Sequence, residues 1–202
     1  MKKRIFLGLC LLMISPVAHA QYWETQKGLD LLDQSPQKAQ SYFQKALEYD
    51  SNDGRLHYNL ANSLSLSKNY QHALISYETA LQTLPKKYLN AAHYNLGTTA
   101  LHHKQLDTAI EHLKTALKNN PNFDAARQNL EVALSQKQAQ QSAQDQNNSA
   151  PNPDSQSEST HIQTHRNDTL ERYIKDQEKQ ARQNFINRQK EDTRREEKEL
   201  SW

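Results

Sequence analysis

Small and apolar residues fall at helical spacing through residues 54–124, and the same set of positions occurs twice. Leu60-Ala61, Leu64, Ala73, Tyr77, Ala80-Leu81 and Pro85 return 36 residues later as Leu96-Gly97, Ala100, Ala109, Leu113, Ala116-Leu117 and Pro121. Helix periodicity alone cannot produce a recurrence at several linked positions, and a period in the mid-thirties is the length of a helix–turn–helix unit. Ala or Gly at fixed offsets lets two antiparallel helices approach closely. Leu60, Leu64, Tyr70, Tyr77 and Leu81 then fill the wedge between them, each contributing about 1.5–3 kcal/mol once buried. One unit alone cannot bury its apolar face, so the pattern predicts an all-α stack of such units.

The two copies resemble tetratricopeptide (TPR) repeats. On the 34-residue frame of that family, Gly54 and Asn90 take the first position, the small residues fall on Ala61/Gly97, Ala73/Ala109 and Ala80/Ala116, and the helix-ending proline falls on Pro85 and Pro121. Upstream, Ala39, Phe43, Ala46 and Leu47 match the second helix of a degraded first repeat. Gly28 to Ala39 is one residue shorter than Ala61 to Ala73 or Gly97 to Ala109. The turn at Asp33-Gln34-Ser35-Pro36 is the expected site of the loss, with Ser35 capping the next helix and Pro36 at its first position. Tyr22 and Trp23 are expected to fold back over the open end of the array. Downstream, Asn129-Leu130 and Leu134 repeat the places of Asn59-Leu60 and Leu64 with no second helix after them. That segment reads as a capping helix, with Glu131 where a small residue would otherwise be required. The expected organisation is a signal peptide over 1–20, a TPR domain over 21–139 (repeats 21–53, 54–89 and 90–123, cap 124–139), a disordered linker over 140–167 and a charged helix over 168–202.

The N-terminus supports export. Lys2-Lys3-Arg4 precede an apolar run from Ile5 to Val17, and Ala18-His19-Ala20 places small residues at −3 and −1. These are the parts of a secretory signal peptide cleaved after Ala20, which implies a periplasmic product; a membrane-spanning helix needs about 20 apolar residues. Cleavage removes Cys10, the one cysteine, and leaves 182 residues with neither disulfide nor thiol chemistry. Taking Lys2, Lys3 and Arg4 from the 25 basic residues leaves 22 against 23 acidic ones, so the mature chain has no global attraction to nucleic acid.

Composition shifts at Gln136. From there to Asn167 the chain is rich in Gln, Ser, Asn and Asp, and Ile162 is its one large aliphatic residue. Such a stretch cannot bury enough apolar surface to order itself; as a coil it spans about 30 Å. Asp168-Thr169-Leu170-Glu171 then has capping-box spacing, and Glu171–Lys175, Glu178–Arg182 and Glu191–Arg195 are Glu-first i,i+4 pairs. The helix they predict has a thin apolar stripe in which Tyr173, Ile174, Phe185 and Ile186 are the large members, and it closes on Trp202. Two readings stay open: a solvated single helix, or one that docks on a partner or on the chain's own repeats.

His93-Tyr94-Asn95-Leu96-Gly97, Asn129-Leu130-Glu131, the Gln-rich segment and a charged tail with Asp176-Gln177-Glu178-Lys179 ending on Trp202 together resemble the small exported TPR component of the aerotolerance (Bat) family. That resemblance implies an envelope complex with von Willebrand A-domain proteins, linked to a MoxR-type ATPase and to stress tolerance. TPR geometry implies a concave groove lined by first helices, with Tyr58, Asn59, Asn62, Tyr94, Asn95, Thr98, Gln128 and Asn129 on or near it. Asn59, Asn95 and Asn129 share one repeat position and would form a ladder able to hold the main chain of an extended peptide. The competing role for the asparagines is satisfying polar groups of an adjacent helix, and for the tyrosines packing between repeats.

Catalytic constellations are not recognisable. Nine histidines invite a metal site, but His93, His102, His103 and His112 have no ligand spacing on one helix face. With four glycines in 202 residues there is no phosphate-cradling loop, and no nucleophile–His–acid order occurs. The expectation is a non-enzymatic scaffold without cofactor, metal, small-molecule substrate or nucleic acid, binding protein through its groove. General envelope assembly (division, pilus or outer membrane) and self-association through the C-terminal helix are the alternatives.

Overall fold

The computed structural model describes residues 16–148 and 176–195, positions 178 and 193 excepted. Residues 1–15, 149–175 and 196–202 lie outside them, and with them most of the apolar run of the expected signal peptide, the expected linker beyond Asn148, the Asp168–Glu171 capping box, Tyr173, Ile174 and Trp202. The described residues are helical throughout apart from turns, in the order α1 Pro16–Leu31, α2 Pro36–Tyr49, α3 Gly54–Leu66, α4 Tyr70–Thr83, α5 Lys86–His102, α6 Leu106–Asn119 and α7 Asp124–Asn148. A further helix, α8, covers 176–195. The chain divides into two compact units, 1–84 and 85–202.

In the first unit α1 packs on α2, α2 on α3 and α3 on α4. The small residues of the repeat pattern are the contact points: Ala39, Ala61, Ala73 and Ala80 are fully buried. Gly54 is required by proximity, since a Cβ there would stand 2.6 Å from the Leu84 amide nitrogen and 2.8 Å from the Ala80 carbonyl oxygen. Asp53 caps α3 by accepting from the Arg55 N–H at 2.8 Å. Trp23 does not close over the end of the array. It lies within α1, 52% exposed, with its edge on the Tyr42 ring, centroids 5.9 Å apart.

The residue missing from the first repeat is lost from a helix, not from the turn. α1 ends three residues after Gly28, whereas α3 and α5 each run five residues past Ala61 and Gly97; the turn itself is one residue longer. In the complete repeats the turn is a left-handed helix stop: Lys68 and Lys104 have φ of 60° and 59°, and the Asn69 and Gln105 N–H groups reach back to Leu64 O at 2.8 Å and Ala100 O at 2.9 Å. That is the Schellman arrangement with lysine in the usual glycine place. None of residues 32–35 takes the left-handed conformation; Pro36 starts α2 at its first position, and Ser35 precedes it without a side-chain cap.

In the second unit α5 packs on α6, and α7 on both. α7 behaves as a cap. Ala126 and Ala133 are fully buried against the repeats, while Leu134, in register with buried Leu64 and Ala100, is 44% exposed, with no second helix of the repeat following it among the described residues. Glu131 is exposed as well. The boundary at 139 is overturned: α7 continues to Asn148. Residues 136–148 are polar but consist largely of Gln and Ala, good helix formers, with no proline before Pro151, so the helix outlasts its apolar face.

Candidate functional site

The proposed groove residues divide between the two units. In the first, Tyr58 and Asn59 are fully buried and Asn62 almost so. Asn62 Oδ1 accepts from the Tyr77 hydroxyl at 2.6 Å, and the Tyr58 and Tyr77 rings meet edge-on at 5.7 Å. These side chains tie α3 to α4. In the second unit Tyr94 is fully buried, with its ring on Phe123 at 4.6 Å. Asn129 Nδ2 donates at 2.9 Å to Thr98 Oγ1, and that hydroxyl donates at 2.9 Å to the Tyr94 carbonyl oxygen. The Asn129–Thr98–Tyr94 relay holds the cap to α5. Asn95 is 6% exposed; Gln128 is half-buried. For Asn62, Thr98 and Asn129 the contacts shown are those of the structural role, helix to helix.

His93 and His112 bring α5 and α6 together, Nδ1 to Nδ1 at 3.0 Å with the rings stacked at 5.2 Å. One imidazole must accept the proton that the other donates, so the contact requires at least one neutral ring. Burial first, and His112 second, hold the His93 imidazole below the usual histidine range, with Glu111 opposing. His57, at the same repeat position, contacts the Ser51 carbonyl oxygen at 2.8 Å through Nε2. Among the described residues no group of three or more His, Cys, Asp or Glu gathers at one point, and no helix there is long and apolar enough to cross a membrane.

The tail helix is docked on the chain's own second unit. Phe185 and Ile186 are 2% and 3% exposed and Gln189 is buried beside them; with half-buried Ala181 and Arg182 they form one stripe at helical spacing. The Phe185 ring lies against Tyr88 of α5 at 4.9 Å. Two turns further on, Asp192 accepts hydrogen bonds from the Tyr88 hydroxyl and the Lys87 ammonium. Lys87 also lies over the Tyr88 ring, 4.9 Å from its centroid. The Lys87 and Tyr88 hydrogen bonds hold the Asp192 carboxyl below the usual carboxylate range, against a smaller opposing effect of burial.

Sequence reasoning named Phe185 and Ile186 but missed Lys87, Tyr88 and Asp192. A signal was available. Asn59 to Asn95 is 36 residues where Asn95 to Asn129 is 34. The structure places this excess of two, with two more residues taken from the preceding turn, in a longer α5, 17 residues against 13 in α3, and the extra first turn carries Lys87 and Tyr88.

The comparisons agree with this geometry. Residues 26–88 and 91–123 match tetratricopeptide repeat profiles, while no curated protein matches. Among solved structures, MamA is 21% identical over 58% of this chain and 68% of its own, with a TM-score of 0.54. The second TPR domain of human RPAP3, solved with the HSP70 peptide SGPTIEEVD, is 17% identical over 58% of this chain and 97% of its own, with a TM-score of 0.53. YrrB, a TPR protein with an unusual peptide-binding site, is 25% identical over 56% of this chain and 58% of its own, with a TM-score of 0.50. Family profiles, solved relatives and the paired helices converge: residues 26–88 and 91–123 of this chain are tetratricopeptide repeats.

Proposed function

We propose that the chain is a non-catalytic periplasmic adaptor whose repeats bind a protein partner. The repeat fold is one built for protein–protein interaction, and the observation that carries the reading is that the second unit already holds a peptide helix: Phe185 lies on Tyr88, and Asp192 is gripped by Lys87 and Tyr88. Peptide binding by YrrB and RPAP3 supports the same use of the fold. The periplasmic assignment rests on Lys2-Lys3-Arg4, the apolar run and Ala18-His19-Ala20. The partner class, von Willebrand A-domain proteins of a Bat-type envelope complex, rests on His93-Tyr94-Asn95-Leu96-Gly97 and the charged tail ending on Trp202.

The test uses the full-length gene expressed in its host. Cell fractionation with mass spectrometry of the purified protein is expected to find it in the periplasm beginning at Gln21, and affinity capture from the envelope is expected to recover von Willebrand A-domain proteins. A protein that stays unprocessed in the cytoplasm contradicts the localisation. Capture that returns no such partner contradicts the Bat assignment.

A further inference from the structure

The contact between α8 and α5 leaves space at both ends, about 220 Å³ beside Asp192 and Arg188 and a larger one toward Ala181. Between them one side chain reads two features, the Tyr88 ring taking Phe185 and its hydroxyl taking Asp192. An aromatic and an acid seven residues apart lie about 10 Å apart on one helix face. Toward Ala181 the fit fails. A cavity of about 310 Å³ remains there, with Tyr88, Asn90, Ala91 and Phe123 on the repeat side and Gln177, Ala181 and Asn184 among its walls on α8. Asn90 Oδ1 is buried with no hydrogen-bond partner among the described residues. Ala181 stands one turn before Phe185 on the docked face, so the helix in place offers a methyl group where the cavity admits a large side chain.

We propose that the extra first turn of α5 is a docking site for an amphipathic helix of the partner protein, that α8 is its placeholder, and that the partner helix carries a large apolar residue one turn before an aromatic and an acid two turns after it. This inference rests on the reading that the repeats bind a protein. The partner helix fills the space left at Ala181 and keeps the aromatic and acidic contacts, so it displaces α8; the ammonium of Lys87 selects for the acid.

The probe is a fluorescein-labelled synthetic peptide of residues 176–195 carrying Ala181→Leu, titrated against the full mature chain with its own helix weakened by Phe185→Ala and Asp192→Asn. Saturable binding is expected, about tenfold tighter than for the native-sequence peptide and weaker against the chain with intact α8, whose own helix competes. Adding Tyr88→Ala to the chain is expected to abolish it, with circular dichroism confirming folded repeats. Lys87→Glu is expected to weaken binding, and Asp192→Lys in the peptide to restore it. No binding, equal binding of both peptides, or indifference to Tyr88→Ala overturns the proposal. Concentration-dependent self-association of the wild-type chain that Tyr88→Ala removes assigns the occupant to a second copy and overturns it too. A captured envelope protein that saturating peptide fails to displace overturns helix docking and leaves the adaptor reading standing; peptide binding without any captured protein does the reverse.

Discussion

At the scale of single residues, the side chains that hold the repeats together are those with no room around them. A methyl group on Gly54 would meet the backbone of Leu84 and Ala80, which cannot swing aside as a side-chain tip can. Gly54→Ala is therefore expected to destabilise by about 1–3 kcal/mol, read as a lower urea midpoint. His93 gives a pH dependence. Its folded-state pKa is lowered by burial and by His112, so the unfolded chain takes up the proton first. The stabilising contribution is complete above the ordinary histidine value of about 6.5 and falls as pH drops through it toward the lowered folded value. Urea midpoints at pH 7.5 and 5.5 are expected to differ more for wild type than for His93→Gln. Legibility from sequence is mixed at this scale. The small and apolar core positions could be read because their spacing is set by close helix approach. The asparagines could not be separated by role: Asn129 faces Thr98 and Asn62 faces Tyr77, partners 31 and 15 residues away in the chain.

At the scale of elements, helix ends carry the differences between repeats. Lys68 and Lys104 hold left-handed conformations that cost a side chain about 1–2 kcal/mol relative to glycine. Lys104→Gly is expected to stabilise the protein by about 0.5–1 kcal/mol, since glycine also loses more chain entropy on folding, and a thermal melt checks it. The shortened α1 was legible as a missing residue but not as a lost helical turn end, because spacing counts residues without saying which element gives one up. The last turns of α7 are not legible from hydrophobic patterning, because Gln and Ala carry helix propensity without an apolar face. α8 was legible as a helix, while its docking partner was not. Asp192 has a folded-state pKa lowered by Lys87 and Tyr88, so its contribution to docking is present above the ordinary carboxylate range and is lost as pH falls through the lowered value. Asp192→Asn is expected to loosen α8 at neutral pH, where the wild-type carboxylate is ionised, and to differ little from wild type in strong acid; amide exchange of α8 at the two pH values reports it.

At the scale of the molecule, α5 and the tail helix α8 form one packed arrangement in the second unit. The extra turn of α5 presents Lys87 and Tyr88, and α8 supplies Phe185 and Asp192 to them. The measurement that tests this most directly is hydrogen exchange across 176–195 in the mature protein, wild type beside Tyr88→Ala. Protected amides around Phe185 and Ile186 are expected in wild type and lost in the variant, with α3 and α4 unchanged in both. Equal, fast exchange of this segment in wild type and variant would contradict that arrangement, because α8 would then have no place on α5.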